Sequence, residues 1–305
     1  MSWKCYKLVY EAKAPIHIGY RKLGIVSRTR YYILGRNFWG AATAILTRKI
    51  MKDYDSKIYK NVGEFVKKNI IFSHFYVCEN DKILYPIFSE DGLKYENHSE
   101  HKFEKKYISS YVSTALEITS KTAEEESLHE IEFIKPKYKE NDGVRDTEFF
   151  GHVFVNENPK FDNDINDKFK NKLKEYLNQE KLKEIISELW VGGERNYGFG
   201  RVELENENFK ETDKIFKKED FQLTLDNEKP LLASKNSCIL ALSHVLFNEN
   251  IKLIKGDIEP LVGRIWSEKG AGHTPEFSNV ALVPGTKFEF EGEIEIGNYG
   301  LWRII

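Results

Sequence analysis

Cysteine is scarce in this chain: Cys5, Cys78 and Cys238 stand far apart, and no CxxC pair occurs. That spacing argues against a disulfide framework or a zinc ribbon and for a reducing cytosol. Long apolar runs are missing too. None approaches the ~18 residues that a membrane-spanning helix requires, so no membrane partner is expected. The opening MSWKCYKLVYEAK alternates like a strand and has neither the uninterrupted apolar segment nor the cleavage site of a signal peptide. A cytoplasmic protein is the expectation. No GxxxxGK[ST] phosphate loop is present. The most uneven absence is of acid. Over the whole chain 48 Asp and Glu stand against 46 Lys and Arg, a net charge of −2, yet no carboxylate falls between Ala12 and Lys52.

That window holds Lys13, Arg21, Lys22, Arg28, Arg30, Arg36, Arg48, Lys49 and Lys52. A local basic field inside a near-neutral chain is the footprint of a polyanion groove. Arg48, Lys49 and Lys52 read better as the solvated face of a helix. The loop arginines read as ligand-facing.

At 305 residues, 41% hydrophobic and 31% charged, the chain can hold one large domain or two modest ones. Lys4 to Lys13 alternates, placing Tyr6, Leu8, Tyr10 and Ala12 on one face. Helices are predicted from Gly35, burying Phe38, Trp39, Ala42, Ile45 and Leu46, and from Ser56 to Lys68. Asn37 sits near the first helix start, where an N-cap role would account for it without a ligand. Trp39, Trp190 and Trp266 are assigned to the core. Glu90 to Lys106 reads as a polar, mobile insertion, and Asn163 to Trp190, with Ile165 on its apolar face, as helical. The acidic stretch Asn206 to Lys218 lacks periodic apolar positions and is the candidate boundary between units 1–210 and 211–305. A faint echo, Phe149-Gly151-Val153-Val155 against Phe290-Gly292-Ile294-Ile296, hints at duplication. Strands and helices intermix without a β-α-β period, which gives an α+β fold class and not a doubly wound sheet.

The densest chemistry lies in VGGERNYGFGRVELE, Val191 to Glu205. Glycine is entropically costly, so four of them in one loop call for unusual dihedrals or a close approach to the backbone. Gly192 and Gly193 can cap a preceding helix. Gly198 and Gly200, beside Arg195, Asn196, Tyr197 and Arg201, need another reason. Bare amides next to guanidinium groups make a donor surface suited to phosphates, and Tyr197 offers a stacking face to a base. The loop follows a helix and precedes a strand, the reverse of the dinucleotide-binding order.

This loop resembles the glycine-rich loop of the RAMP superfamily, the RNA-recognition-motif-like subunits of CRISPR–Cas effector complexes. The resemblance continues in Ala14-Pro15-Ile16-His17-Ile18-Gly19 after the first strand, and in Tyr32-Ile33-Leu34-Gly35-Arg36-Asn37-Phe38-Trp39-Gly40-Ala41. It extends to Ala115-Leu116-Glu117-Ile118-Thr119 through His129-Glu130-Ile131-Glu132-Phe133, which resembles the segment before the family's central hairpin. Leu34 departs from a usual proline and Asn37 from a usual serine. The family's type III backbone subunit carries a cleaving aspartate after strand one; Gly19 to Gly35 has no carboxylate, so no slicing is expected there. The GGDD signature of the polymerase-like subunit is also absent.

The resemblance implies tandem ferredoxin-like domains with antiparallel sheets, the second one smaller and α+β. It implies a CRISPR RNA groove lined by His17, Arg21, Lys22, Arg28, Arg30 and Arg36, and by Gly192, Gly193, Arg195, Asn196, Tyr197, Gly198, Gly200 and Arg201. The partners would be CRISPR RNA and other effector subunits in antiviral defence, with no small-molecule cofactor and no metal. Two alternatives stand beside a non-catalytic subunit. One is a metal-independent processing endoribonuclease using His17. The other is an adaptor of the same fold that contacts only protein. His98 and His101 form an HxxH pair without further ligands clustered in sequence.

Overall fold

The computed structural model describes residues 3–53, 55–117, 119, 122, 127–140, 143–162, 166–267 and 270–305. The strand Trp3–Ala12 is its axis. It pairs antiparallel with Glu148–Asn156, from Trp3↔Asn156 to Glu11↔Glu148, and on its other edge with Arg201–Leu204. Glu188–Trp190, Phe75–Glu79 and Tyr32–Ile33 extend the sheet, with three short strands beside this path.

Alternation along the axis strand divides the interior in two. Tyr6, Leu8 and Tyr10 join Phe149, Phe38, Val62 and Ile185 in one core. Cys5 and Val9 join Phe150, Leu232, Phe288 and Trp302 in the other. The sheet is therefore covered on both faces, which explains the nearly unbroken apolar run in Glu148–Asn156. The predicted Tyr6/Leu8/Tyr10/Ala12 face is the one that meets the helices.

Helices Gly35–Ile50 and Ser56–Asn69 form the first cover. Asp55 caps the second, its Oδ1 accepting from the Ile58 N–H at 2.7 Å. The first has no side-chain cap, because Leu34 occupies the cap position. Asn37 lies inside the helix, and its buried Oδ1 has no partner among the described residues. The N-cap role expected of it is thus replaced by a helical one. Trp39 packs against this layer and donates from Nε1 to the Gly63 carbonyl at 2.9 Å, whereas Trp190 stands 36% exposed on a sheet edge.

The second cover is built from residues beyond Phe221. A seven-stranded and a three-stranded sheet occupy this region. Among its described residues the helical content of 211–305 is a single three-residue turn, Asn298–Gly300. The chain as a whole is α+β with mostly antiparallel sheets. Its helices lie N-terminal to this region, not in both halves.

Three other expectations change. Glu90–Lys106 is ordered: it forms the strand Gly92–Tyr95 and, with Tyr107, the helix Glu100–Tyr107, and Tyr95, Phe103 and Tyr107 are buried. A few large rings outweigh the polar residues around them. Asn163–Trp190 resolves into helices Asp167–Glu175 and Gln179–Ile186 and a strand, Glu188–Trp190; Ile165 lies outside the described residues, as do Ile118 and the Trp266 side chain. The echo also fails structurally. Gly151 lies within a continuous strand, but Gly292 has φ +112° between two strands of different sheets.

Candidate nucleic-acid interface

Two distant segments meet at one end of the central sheet. Lys13 donates its N–H to the Arg201 carbonyl at 2.9 Å, Gly200 to that of Pro15 at 2.8 Å, and Gly193 to that of His17 at 2.9 Å. The glycines are required by this docking. Gly192 has φ +80°, and a Cβ there would lie 2.2 Å from the His17 oxygen; at Gly200, φ +96°, it would lie 2.4 Å from the Val191 oxygen. Any side chain would push the loop off its seat. Between them Glu194 adopts a left-handed conformation and Arg195–Tyr197 forms a 3-10 turn. The N–H groups of Glu194, Arg195 and Asn196 have no hydrogen-bond partner among the described residues. Successive free amides of this kind form an anion-accepting concavity.

On its other side the Pro15–Ile18 segment joins a small sheet. Ile16 exchanges backbone hydrogen bonds with Ile134 at 3.0 and 2.8 Å, and Arg30 donates its N–H to Ile18 at 2.7 Å. This sheet orders Ile108–Ser113, His129–Ile134, Val26–Thr29 and Gly19–Leu23, and every residue of Gly19–Leu23 is exposed. Tyr197 reaches across to it. Its ring lies 6.1 Å from Tyr111 and its hydroxyl 3.5 Å from His129 Nε2. Tyr111 and His129 were absent from the residues proposed from sequence. The signal for Tyr111 was a large ring among three serines in Ser109–Ser113; His129 had none.

His17 is buried beneath the loop, with Nδ1 2.7 Å from the Glu132 carbonyl oxygen. A carbonyl only accepts, so Nδ1 carries a proton, and the neutral ring has its lone pair on Nε2.

The expected cations divide sharply. Arg28 lies 3.4 Å from Glu104 and 3.6 Å from Glu132. Arg30 pairs with Glu259 at 2.7 Å. Arg36 pairs with Glu276 at 2.8 Å and packs its guanidinium 4.4 Å from the Tyr299 ring centre. Arg201 is held by Glu188 and Glu203 at 2.6 and 2.5 Å. Among the described residues Arg21, Lys22 and Arg195 have no ion-pair partner. Arg195 lies within electrostatic reach of Tyr59 and Arg48, and Lys49 pairs with Glu184 at 3.5 Å.

The Arg30 pair belongs to a buried relay between the two covers. Gly35 donates its N–H to His74 Nδ1 at 3.3 Å, His74 Nε2 lies 2.8 Å from His244 Nδ1, and His244 Nε2 lies 2.6 Å from Glu259 Oε1. The first bond sets the direction: each imidazole accepts at Nδ1 and donates from Nε2, so both are neutral. Burial lowers the pKa of both. Burial opposes ionisation of Glu259, but His244 and Arg30 overcome it and hold the carboxyl at about 2.

Among the described residues no group of three or more His, Cys, Asp or Glu side chains is placed to hold a metal ion. His98 lies 3.2 Å from Glu79, while His101 is exposed on the adjoining helix. No described helix is long and apolar enough to cross a membrane.

The RAMP superfamily profile matches residues 9–203, which takes in the Pro15–Ile18 segment, the small sheet and the whole glycine loop. The chain belongs to the RAMP superfamily. No curated protein matches it by sequence. Among solved structures, this RAMP chain resembles a chain of the type III-B Cmr-beta complex bound to cognate target RNA and AMPPNP. The TM-score is 0.52 and the identity 11%, over 93% of this chain and 86% of that one. A chain of the same complex bound to cognate target RNA gives a TM-score of 0.50 at 11% identity, with the same coverage. At such identity the likeness is one of fold, and it extends past the profile into the strand-rich C-terminal third.

Proposed function

We propose that this chain is a non-catalytic RNA-binding subunit of a type III-like CRISPR effector complex, acting in the cytoplasm with CRISPR RNA and sister subunits in antiviral defence. The docking of the glycine loop onto Pro15–Ile18 carries this reading. It puts free amides, Arg195 and Tyr197 beside the sheet that bears Arg21 and Lys22. Cations without acidic partners, unpaired amides and an exposed aromatic pair are what a single strand's phosphates and bases engage. Arg28, Arg30 and Arg36 act as struts behind that surface, Arg201 is tied to Glu188 and Glu203 at its exposed edge, and Gly192, Gly193, Gly198 and Gly200 shape the loop. Residues 1–210 form the RNA-facing unit, and 211–305 a second unit that braces it.

The test is binding of a CRISPR repeat RNA across a salt series. Log affinity should fall linearly with log salt, and Arg21→Ala, Lys22→Ala and Arg195→Ala should each reduce the slope by ~0.7. Affinity indifferent to salt would favour an adaptor that contacts only protein. A second reading draws on the His17 tautomer, whose free Nε2 is the form a general base uses. Cleavage of repeat RNA in EDTA, abolished by His17→Ala, would replace the non-catalytic reading with an endoribonuclease.

A further inference from the structure

A cavity of about 350 Å³ opens beside the hairpin that carries Arg21. It lies between that hairpin, the Pro86–Tyr95 strands and the loops at Asp257 and Pro284, so the N-terminal region and the C-terminal third both contribute to it. Its size is at the lower end for small-ligand sites and suits one nucleotide.

The lining is of an uncommon kind. Tyr20, Tyr31, Phe88 and Tyr95 supply rings. Arg28 and Arg30 are neutralised by Glu104, Glu132 and Glu259. Arg21 is not; it lies 4.6 Å from the Tyr20 ring centre with no carboxylate paired to it among the described residues. Arg30 approaches the same ring at 4.6 Å, and its buried Nε has no acceptor among the described residues. Two carboxylates, Glu100 and Asp257, also line the space, and neither has a cation within ion-pair distance among the described residues.

Rings, one uncommitted cation and two carboxylates without a paired cation, one of them also accepting from the Ile258 N–H at 2.8 Å, describe a single ligand chemistry. We propose that this cavity takes one ribonucleotide, its base lodged among the tyrosines and its phosphate held by Arg21. Carboxylates accept from exocyclic amino groups, which guanine, adenine and cytosine carry and uracil lacks, so uracil is the base bound least well. A base splayed from a bound strand and a free mononucleotide present this same chemistry. The strand source rests on the RNA-binding reading above; the free source does not.

The experiment uses the full chain with three variants: Arg21→Ala, Leu93→Trp to fill the cavity, and Lys252→Ala as an exposed control outside its lining. GMP and UMP are titrated by calorimetry. In parallel, an oligoribonucleotide with one 6-thioguanosine is photocrosslinked and the modified peptides are mapped. GMP should bind more tightly than UMP, with affinity reduced about tenfold by Arg21→Ala, abolished by Leu93→Trp and unchanged by Lys252→Ala. A crosslink to the peptide of Tyr20 or Tyr31, lost in Leu93→Trp, identifies the strand as the source. GMP binding without RNA binding supports the cavity and overturns only the RNA reading. Salt-dependent RNA binding with neither GMP binding nor a crosslink at these tyrosines overturns the cavity proposal and leaves the RNA reading standing. Loss of both overturns both. Arg21→Ala, at an exposed position, decides the matter if Leu93→Trp fails to fold: unchanged GMP affinity in it sinks the proposal.

Discussion

The hairpin at Arg21 and Lys22 and the seam at Arg30 and Arg36 come from the same acid-free window of sequence, yet they end in opposite electrostatic states. At the hairpin the strand is exposed throughout and its cations have no acidic partners among the described residues. At the seam each guanidinium meets a carboxylate from the C-terminal third, Glu259 or Glu276, together with aromatic rings. Glu276 is shared further, with Lys67 at 2.6 Å and the Tyr299 hydroxyl at 2.7 Å. The lesson is that a density of cations in sequence does not reveal how many remain uncompensated. Seam arginines hold two layers together; hairpin cations are free to meet an external anion.

If that division is right, the largest effect on stability comes at the seam. Glu259→Gln leaves Arg30 buried without its partner and should cost about 3–5 kcal/mol in urea denaturation. A cost near zero would place Arg30 with the free cations. Next is Gly192→Ala, where left-handed backbone and the His17 carbonyl together should cost about 2 kcal/mol. Because it unseats the loop, it should also weaken RNA binding. Acid provides a third, graded test. His152 is held down to about 3 by burial, and His74 and His244 are lowered as well, from an ordinary 6.5. An unfolded chain takes up those protons first, so stability should begin to fall as pH drops below about 6.5. The Glu259 contribution is present above 4.5 and is lost as pH falls toward about 2. A flat stability profile from pH 7 to 5 would contradict the neutral relay. The smallest effect belongs to the hairpin. Arg21→Ala and Lys22→Ala should leave the melting midpoint nearly unchanged, within about 0.5 kcal/mol, while altering the salt dependence of RNA binding. A large loss of stability there would erase the distinction.

Much of the N-terminal fold was legible because short-range patterns carry it. The alternation of Tyr6, Leu8 and Tyr10 and the spacing of Phe38, Ala42 and Leu46 report which face is buried without reference to a partner. The loop was legible for a similar reason, since clustered glycines mark positive φ and close packing. The segment Glu90–Lys106 was misread because its polar majority hides three rings, Tyr95, Phe103 and Tyr107, that bury together. The stretch before Trp190 was misread because Leu189 and Val191 serve a strand and its exit as well as they would serve a helix. In the C-terminal third the alternation of Phe288 and Phe290 against Lys287 and Glu289 marks a strand that forms, whereas the long hairpin, Ile258–Ser267 with Gly270–Leu282, is not cleanly periodic and its extent was not legible.

Sequence by itself determined the superfamily, the α+β class, the glycine loop and the stock of cations available to it, because all of these reside in local composition and order. Tertiary structure alone decided which cations are spent. Glu104, Glu132, Glu259 and Glu276 lie far along the chain from the arginines they neutralise, and electrostatic pairing depends on distance in space. The same long-range folding brought Tyr20 and Arg21 to the mouth of a cavity that no contiguous segment encodes.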